Sequence, residues 1–475
     1  MSYQEFLKSK RRSYRPAGFD IDFESLNPES FGARHQFQPH VIQWACKLGR
    51  SALFAKYGTG KTRMQLEWAN QVAQHTGGNV LILAPLAVAH QTIKEASKFG
   101  IDAQLCESQA DVTGAIVITN YDKLKNFDSA SFVGVVLDES SILKQYTGKT
   151  KRMLCEAFEH TEYKLCCSAT PAPNDWMEIL NHSEYLGVMT SHLALSRWFT
   201  NDTMNAGKYT LKAHAAHDFW EWVASWAVCL SMPSDLGFSD EGWALPPLNI
   251  HNHVIPVDHK LTWEEPNRNG QLSLIRSPSL NATTIHKEAR LNCDNLAGKI
   301  ADIVAEKPED SWILWCFTDY ESEALGEAIP NAVQLKGSEK PFMKQSKLEA
   351  FTNGEIQILI TKPEIAGLGL NWQHCHNQAF MMGTSYSFEM YHQALHRTYR
   401  FGQQCPVETH LVYAETSGAV NQVIQRKQRQ YDAMQEAFRK AIKRVQLANR
   451  GQSAMDDYNP KVTMLTPNWL IPHAN

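Results

Sequence analysis

The feature that most constrains this chain is the stretch Ala55-Lys56-Tyr57-Gly58-Thr59-Gly60-Lys61-Thr62. An apolar run, Ser51 to Ala55, leads into it, and a helical pattern, Arg63 to His75, leaves it. Glycines at Gly58 and Gly60 let backbone N–H groups approach an anion, and the following helix adds its positive end. Thr59 lies between them, Lys61 is placed to reach phosphate, and the Thr62 hydroxyl is placed to bind Mg²⁺. Met64, Trp68 and Val72 recur every four residues and give that helix one apolar face. A strand, a phosphate loop and a helix in this order belong to a parallel α/β sheet.

The rest of the first half fits such a sheet. Val80 to Pro85, Ala115 to Asn120, Val133 to Glu139 and Lys164 to Thr170 are continuous apolar runs, the pattern of strands buried on both faces. One of them ends in Asp138-Glu139, 77 residues after Lys61. A buried strand that ends in two carboxylates delivers them to the sheet edge, where α/β sites lie. Asp138 suits Mg²⁺, and Glu139 suits a water that attacks phosphate.

A chain of 475 residues is too long for one core, and two domains of about 200 residues are expected. The second half repeats the alternation, with strand-like Trp312 to Phe317, Ile356 to Thr361, Gln378 to Met382 and His410 to Tyr413. Helical patterns, Lys344 to Phe351 and Glu389 to Arg397, lie between them. The expected fold class is α/β, two tandem parallel-sheet lobes. An N-terminal extension would take residues 1–33 and the first lobe 34–175. Residues 176–245 hold Trp176, Trp198, Trp220, Trp222, Trp226 and Trp243 and read as a helical insertion, the tryptophans forming its core. The second lobe would take 246–415, opened by Leu245-Pro246-Pro247-Leu248, and a C-terminal helix and tail 416–475. Ile424, Met434, Phe438 and Ile442 give that helix a packing face.

Composition narrows the function. No run of 18 apolar residues exists, so no membrane span is expected, and the polar, basic N-terminus does not read as a secretory signal. Ten cysteines without a C-x-x-C pair read as reduced thiols. His374-Cys375-His376 lacks a second ligand pair at zinc spacing. The net charge of -4 does not advertise nucleic acid, although Lys8 to Arg15 and Arg426 to Arg450 are locally basic.

With these pieces the chain resembles the superfamily two helicases, within them the Swi/Snf-like DNA translocases, and most of all compact DEAD/DEAH-box versions from bacteriophages. The resemblance covers about residues 34 to 415 and implies two RecA-like lobes. Gln38, 23 residues before Lys61, falls where the family reads adenine, with Gln36 and Gln43 as rivals. Asp138-Glu139-Ser140-Ser141 resembles the DEAD/DEAH box, and Ser168-Ala169-Thr170-Pro171 the element that couples ATP to grip. Ala84-Pro85-Leu86, Thr119-Asn120-Tyr121 and Gly337-Ser338 resemble DNA-contacting loops, and Gly367 to Asn371 the fifth motif. Of that motif, Gly369 is expected at the nucleotide and Asn371 on DNA. Gln393 to Gln403 closely matches the sixth motif.

Arg397 and Arg400, three apart, share a helix face and can point at one anion. The resemblance makes them, with Glu139 and Gln403, the catalytic set. It implies an ATP- and Mg²⁺-dependent motor on nucleic acid, duplex DNA held through Pro85, Thr119, Asn120, Gly337, Ser338 and Asn371. It further implies a cytoplasmic monomer, with phage or host replication and recombination proteins as candidate partners. Two other readings stand beside it: a strand-separating helicase and an ATP-switched binding module.

Overall fold

Residues 18–145, 148–201, 209–257, 282–366 and 371–448 are described by a computed structural model. In the first lobe, α1 (Phe37–Leu48) precedes β1 (Arg50–Ala55), α2 (Lys61–Thr76), β2 (Asn79–Ala84) and α3 (Leu86–Lys98). Then come β3 (Ala103–Leu105), β4 (Ile116–Asn120), β5 (Phe132–Asp138), α4 (Lys149–Ala157) and β6 (Tyr163–Ser168). The Trp-rich segment adds α5 (Ile179–Leu186), α6 (Ser191–Trp198), a hairpin of β7 (Phe199–Asn201) and β8 (Tyr209–Leu211), and α7 (Ala216–Trp226). It ends in β9 (Ala227–Leu230).

The first sheet has the order β3-β4-β2-β5-β6-β1-β9, and every pairing in it is parallel. The Trp-rich segment therefore does more than carry helices: it supplies the strand that covers β1, with Ala52 opposite Ala227. Trp198, Trp220, Trp226 and Trp243 are buried, and Trp198 lies against Trp222 with centroids 4.3 Å apart. These rings are core, which offsets the cost of ordering a long segment by removing large apolar area from water.

The second lobe begins with β10 (Leu248–Ile255) and continues with α8 (Ala282–Ala305), β11 (Trp312–Trp315), α9 (Asp319–Ala328), β12 (Val333–Gln334) and α10 (Pro341–Thr352). Next are β13 (Ile358–Thr361), α11 (Pro363–Ala366), β14 (Asn377–Met381), α12 (Phe388–Leu395) and β15 (Val407–Ala414). Its sheet, β10-β15-β14-β11-β13-β12, is also parallel throughout. The chain thus folds as two RecA-like parallel-sheet lobes. The last helix among the described residues, α13 (Gly418–Ala448), returns to the first lobe. Its Ile424, Met434, Phe438 and Ile442 are buried; Phe438 meets Trp220 at 5.8 Å, and Tyr431 donates to the Ala169 carbonyl at 2.8 Å. Among the described residues, no helix is long and apolar enough to cross a membrane.

Candidate nucleotide site at the interlobe cleft

The C-terminal ends of β1 and β5 are neighbours of β6 on either side, so the phosphate loop and the acidic pair emerge close together. They open into a cleft of about 340 Å³ lined by both lobes. Gly58 and Gly60 both have φ of +86°, a conformation that glycine adopts without strain. A Cβ at Gly60 would meet Gln38 Nε2 at 2.1 Å, and one at Gly58 would meet Phe401 of the second lobe at 2.8 Å. The loop is therefore gripped from both sides.

Gln38 is buried, donates to the Thr59 carbonyl at 2.9 Å, and keeps Oε1 without a hydrogen-bond partner. Gln36 spends its amide on the Pro28 and Gly32 carbonyls, and Gln43 on that of Ile21. Of the three glutamines, Gln38 is the one that lines the cleft.

Lys61, Thr62, Asp138 and Glu139 line it too. Lys61 Nζ lies 4.0 Å from Glu139 Oε1, and both Lys61 Nζ and Glu139 Oε2 are buried without hydrogen-bond partners. Buried charges left in this state are costly unless a ligand completes them, and a phosphate, a cation and a polarised water would do so. Glu139 has φ of +54°, strained backbone for a residue with a side chain. The Asp138 carboxyl is pushed up to about 6, by burial first and by the adjacent Glu139 carboxylate second, with Lys61 pulling the other way. A divalent cation between Thr62 and Asp138 fits this donor set, since a hard cation takes carboxylate and hydroxyl oxygens and would restore the charged carboxylate.

Arg397 and Arg400, just past α12, line the same cleft. Arg397 Nε donates to the Gln393 carbonyl at 3.1 Å, which fixes its direction. Burial, then the neighbouring Arg397, lowers the Arg400 guanidinium to about 9. Two like charges held this close in a buried place favour an anion between them.

The sequence reading missed two groups. Tyr57, a buried residue, lies with its ring 5.1 Å from Lys61 Nζ and 5.5 Å from the Arg397 guanidinium, and it stacks on His396 at 5.1 Å. An aromatic residue inside the phosphate loop was the available signal. The second group is the wall beside Gln38, where the Arg63 guanidinium lies 3.7 Å from the Phe31 centroid and 4.6 Å from that of Phe99.

No protein-family model matches the chain. It is 23% identical over 466 residues to protein p41 of Acyrthosiphon pisum secondary endosymbiont phage 1, covering 86% of this chain and 98% of p41. A solved S. cerevisiae Dbp5 variant, bound to RNA and ADP BeF3, superposes with a TM-score of 0.51. That match covers 89% of this chain and 99% of Dbp5, at 13% identity. The fold is shared with Dbp5. A likeness at this identity speaks for the architecture, and the chemistry has to come from the residues.

Several expected site residues fall elsewhere. Gln403 does not line the cleft: its amide donates to the Cys375 and Thr398 carbonyls and accepts from the Gln404 and Cys405 N–H groups. It builds the turn after Arg400, away from the cleft where it was expected. Thr119, expected on DNA, is 1% exposed inside β4, and Asn120, also expected there, is 8% exposed with its side chain accepting from Lys123 N, so neither side chain stands open to solvent. The reason is that strands of a parallel sheet are covered on both faces. Asn371, expected on DNA, lines the interlobe cleft. Pro85 is half-buried at the start of α3, and Gly337 and Ser338 are exposed before α10. Gly369 lies outside the described residues.

Proposed function

We propose that this chain is an ATP-driven motor that couples hydrolysis in the interlobe cleft to movement along nucleic acid, with duplex DNA, held through its backbone, as the track. One observation carries the reading: Arg397 and Arg400 of the second lobe line the same cleft as Lys61, Asp138 and Glu139 of the first. In this reading Lys61 holds the β- and γ-phosphates. Thr62 and Asp138 would hold Mg²⁺, which supplies charge neutralisation at the phosphates. Glu139 orients the attacking water and takes its proton. The two arginines stabilise charge on the transferred group, so the cleft closes fully only around a triphosphate. Gln38 Oε1 accepts from the adenine edge, beside the wall of Phe31 and Arg63.

Each ATP cycle then closes and opens the lobes, and loops such as Gly337-Ser338 step along phosphates. That Dbp5 is bound to RNA and ADP BeF3 supports a nucleotide and a nucleic acid as ligands of this fold. The match to p41 supports a phage origin and hence a bacterial cytoplasm as the place of work.

The test is ATPase activity with duplex DNA, single-stranded DNA and RNA in parallel. Stimulation strongest with duplex DNA, together with triplex displacement without unwinding, is the expected result. Stimulation by RNA alone would replace the track, and activity indifferent to every nucleic acid would sink the motor.

A further inference from the structure

Tyr57 is the aromatic residue of the phosphate loop, and the chemistry set out above gives it no task. Its side chain crosses the seam between the lobes. The ring enters a slot of the second lobe walled by His392, His396 and Arg397. The two imidazole centroids lie 5.7 and 5.1 Å from its own, and the guanidinium 5.5 Å. All four residues are more than nine-tenths buried, so the slot belongs to the packed seam.

The second lobe holds the slot through contacts of its own. His392 and His396 stand one turn apart at the end of α12, with ring centroids 4.4 Å apart. The His396 ring is aimed by a hydrogen bond of 2.7 Å between its Nδ1 and the Tyr399 carbonyl. A carbonyl can only accept, so Nδ1 carries the proton. Arg397 is directed at its root, where Nε donates to the Gln393 carbonyl at 3.1 Å. Beyond that root, the guanidinium lies over the Tyr57 ring.

The same ring serves the first lobe. Lys61 Nζ lies 5.1 Å from its centroid. Two cations, one from each lobe, therefore share one aromatic ring. Like charges repel in a buried cleft, and a π-system, negative on its faces, attracts both and offsets part of that repulsion. The Tyr57 hydroxyl is buried without a hydrogen-bond partner, so what the residue offers the second lobe is its ring.

We propose that Tyr57 is a positioning residue for Arg397. Closure of the lobes seats the ring in the slot, and the seated ring holds the guanidinium over the phosphate loop beside Lys61. With the lobes apart the arginine lacks that support, so hydrolysis is licensed by closure as well as by ATP binding. The inference rests on the ATP-hydrolysis part of the reading above and names how that site is regulated; it does not depend on the track.

The test is steady-state ATPase activity of the full chain, with the nucleic acid that stimulates it most. Tyr57→Leu should lower kcat roughly 10- to 100-fold, the cost of a misplaced catalytic group, with KM for MgATP nearly unchanged. Tyr57→Phe, which keeps the ring, should retain the wild-type kcat. The deciding measurement is the double variant: a residue that acts through Arg397 has almost nothing left to lose in an Arg397→Ala background. Melting temperatures check folding, and Tyr57→Met takes the place of Tyr57→Leu if the latter does not fold. Losses that multiply in the double variant would overturn the inference and leave Tyr57 a packing residue. Tyr57→Phe as impaired as Tyr57→Leu would also overturn it, moving the role to the hydroxyl. A wild type that hydrolyses ATP equally with and without nucleic acid, and still shows the non-additive cycle, would support this inference and sink the motor. A wild type without ATPase activity would overturn both.

Discussion

The first lobe places its chemistry at the ends of strands, and the second places its own at the end of a helix. Lys61 follows β1 and Asp138 closes β5, so their positions are set by the sheet itself. Arg397 and Arg400 stand in the turn after α12, where their direction depends on the Gln393 carbonyl and on a turn built by Gln403. The charges differ as well. The first lobe brings both carboxylates and one lysine to the cleft centre, and the second brings two guanidiniums. On the proposed reading the first lobe holds the nucleotide, and both lobes together neutralise the charge that develops as phosphate is transferred.

This contrast can be broken from the second lobe first. Arg400→Ala should lower kcat by roughly 10³–10⁵-fold while fluorescent ATP still binds, and a loss confined to ATP affinity would mean that the arginine only holds the ground state. From the first lobe, Glu139→Gln should cost about 10²–10⁴-fold in kcat with ATP binding retained. Near-normal single-turnover hydrolysis by that variant would remove Glu139 as the base.

A smaller effect sharpens the comparison at the seam with α13. Burial first pushes the Glu178 carboxyl up to about 7, against hydrogen bonds from the Asn174 backbone and side chain. A carboxyl raised in the folded state contributes stability that is present below its ordinary value and is lost as pH climbs. Relative to wild type, Glu178→Gln should therefore gain on the order of 2–3 kcal/mol between pH 4.5 and 7. Denaturation of both proteins across that range checks it, and a pH-independent gap would place Glu178 in the ordinary range. Smallest of all, Tyr431→Phe removes the donor to the Ala169 carbonyl and should cost about 1 kcal/mol, seen as a lower melting temperature.

The two halves of the cleft were not equally legible in the sequence. The phosphate loop and the acidic pair are local patterns whose spacing carries their geometry; Arg397 and Arg400 were legible as a pair, but the helix expected to present them on one face ends at Leu395 and both stand in the turn beyond it. Strand β9 was hidden, because four apolar residues after a Trp-rich helix give no period of their own. The inward side chain of Thr119 was equally hidden: a strand buried on both faces shows no alternation. Tyr57 and Asn371 depend on how the lobes face one another, which no local pattern records. The amide of Gln403 reads the same whether it meets water or backbone until its turn is built.

Helix α13 touches both lobes. At one end Asn421 of α13 donates to Asn252 of the second lobe's edge strand at 3.3 Å; further along, Tyr431 and Phe438 are bound to the first lobe. Asn421 and Phe438 are about 25 Å apart along a continuous helix. Two bodies joined by a stiff rod that is seated on both cannot simply draw apart. If the chain is the motor proposed above, the lobes would swing about this rod with a fixed radius and a bounded arc, and the stride would be set by a length of helix as much as by the cleft that drives it.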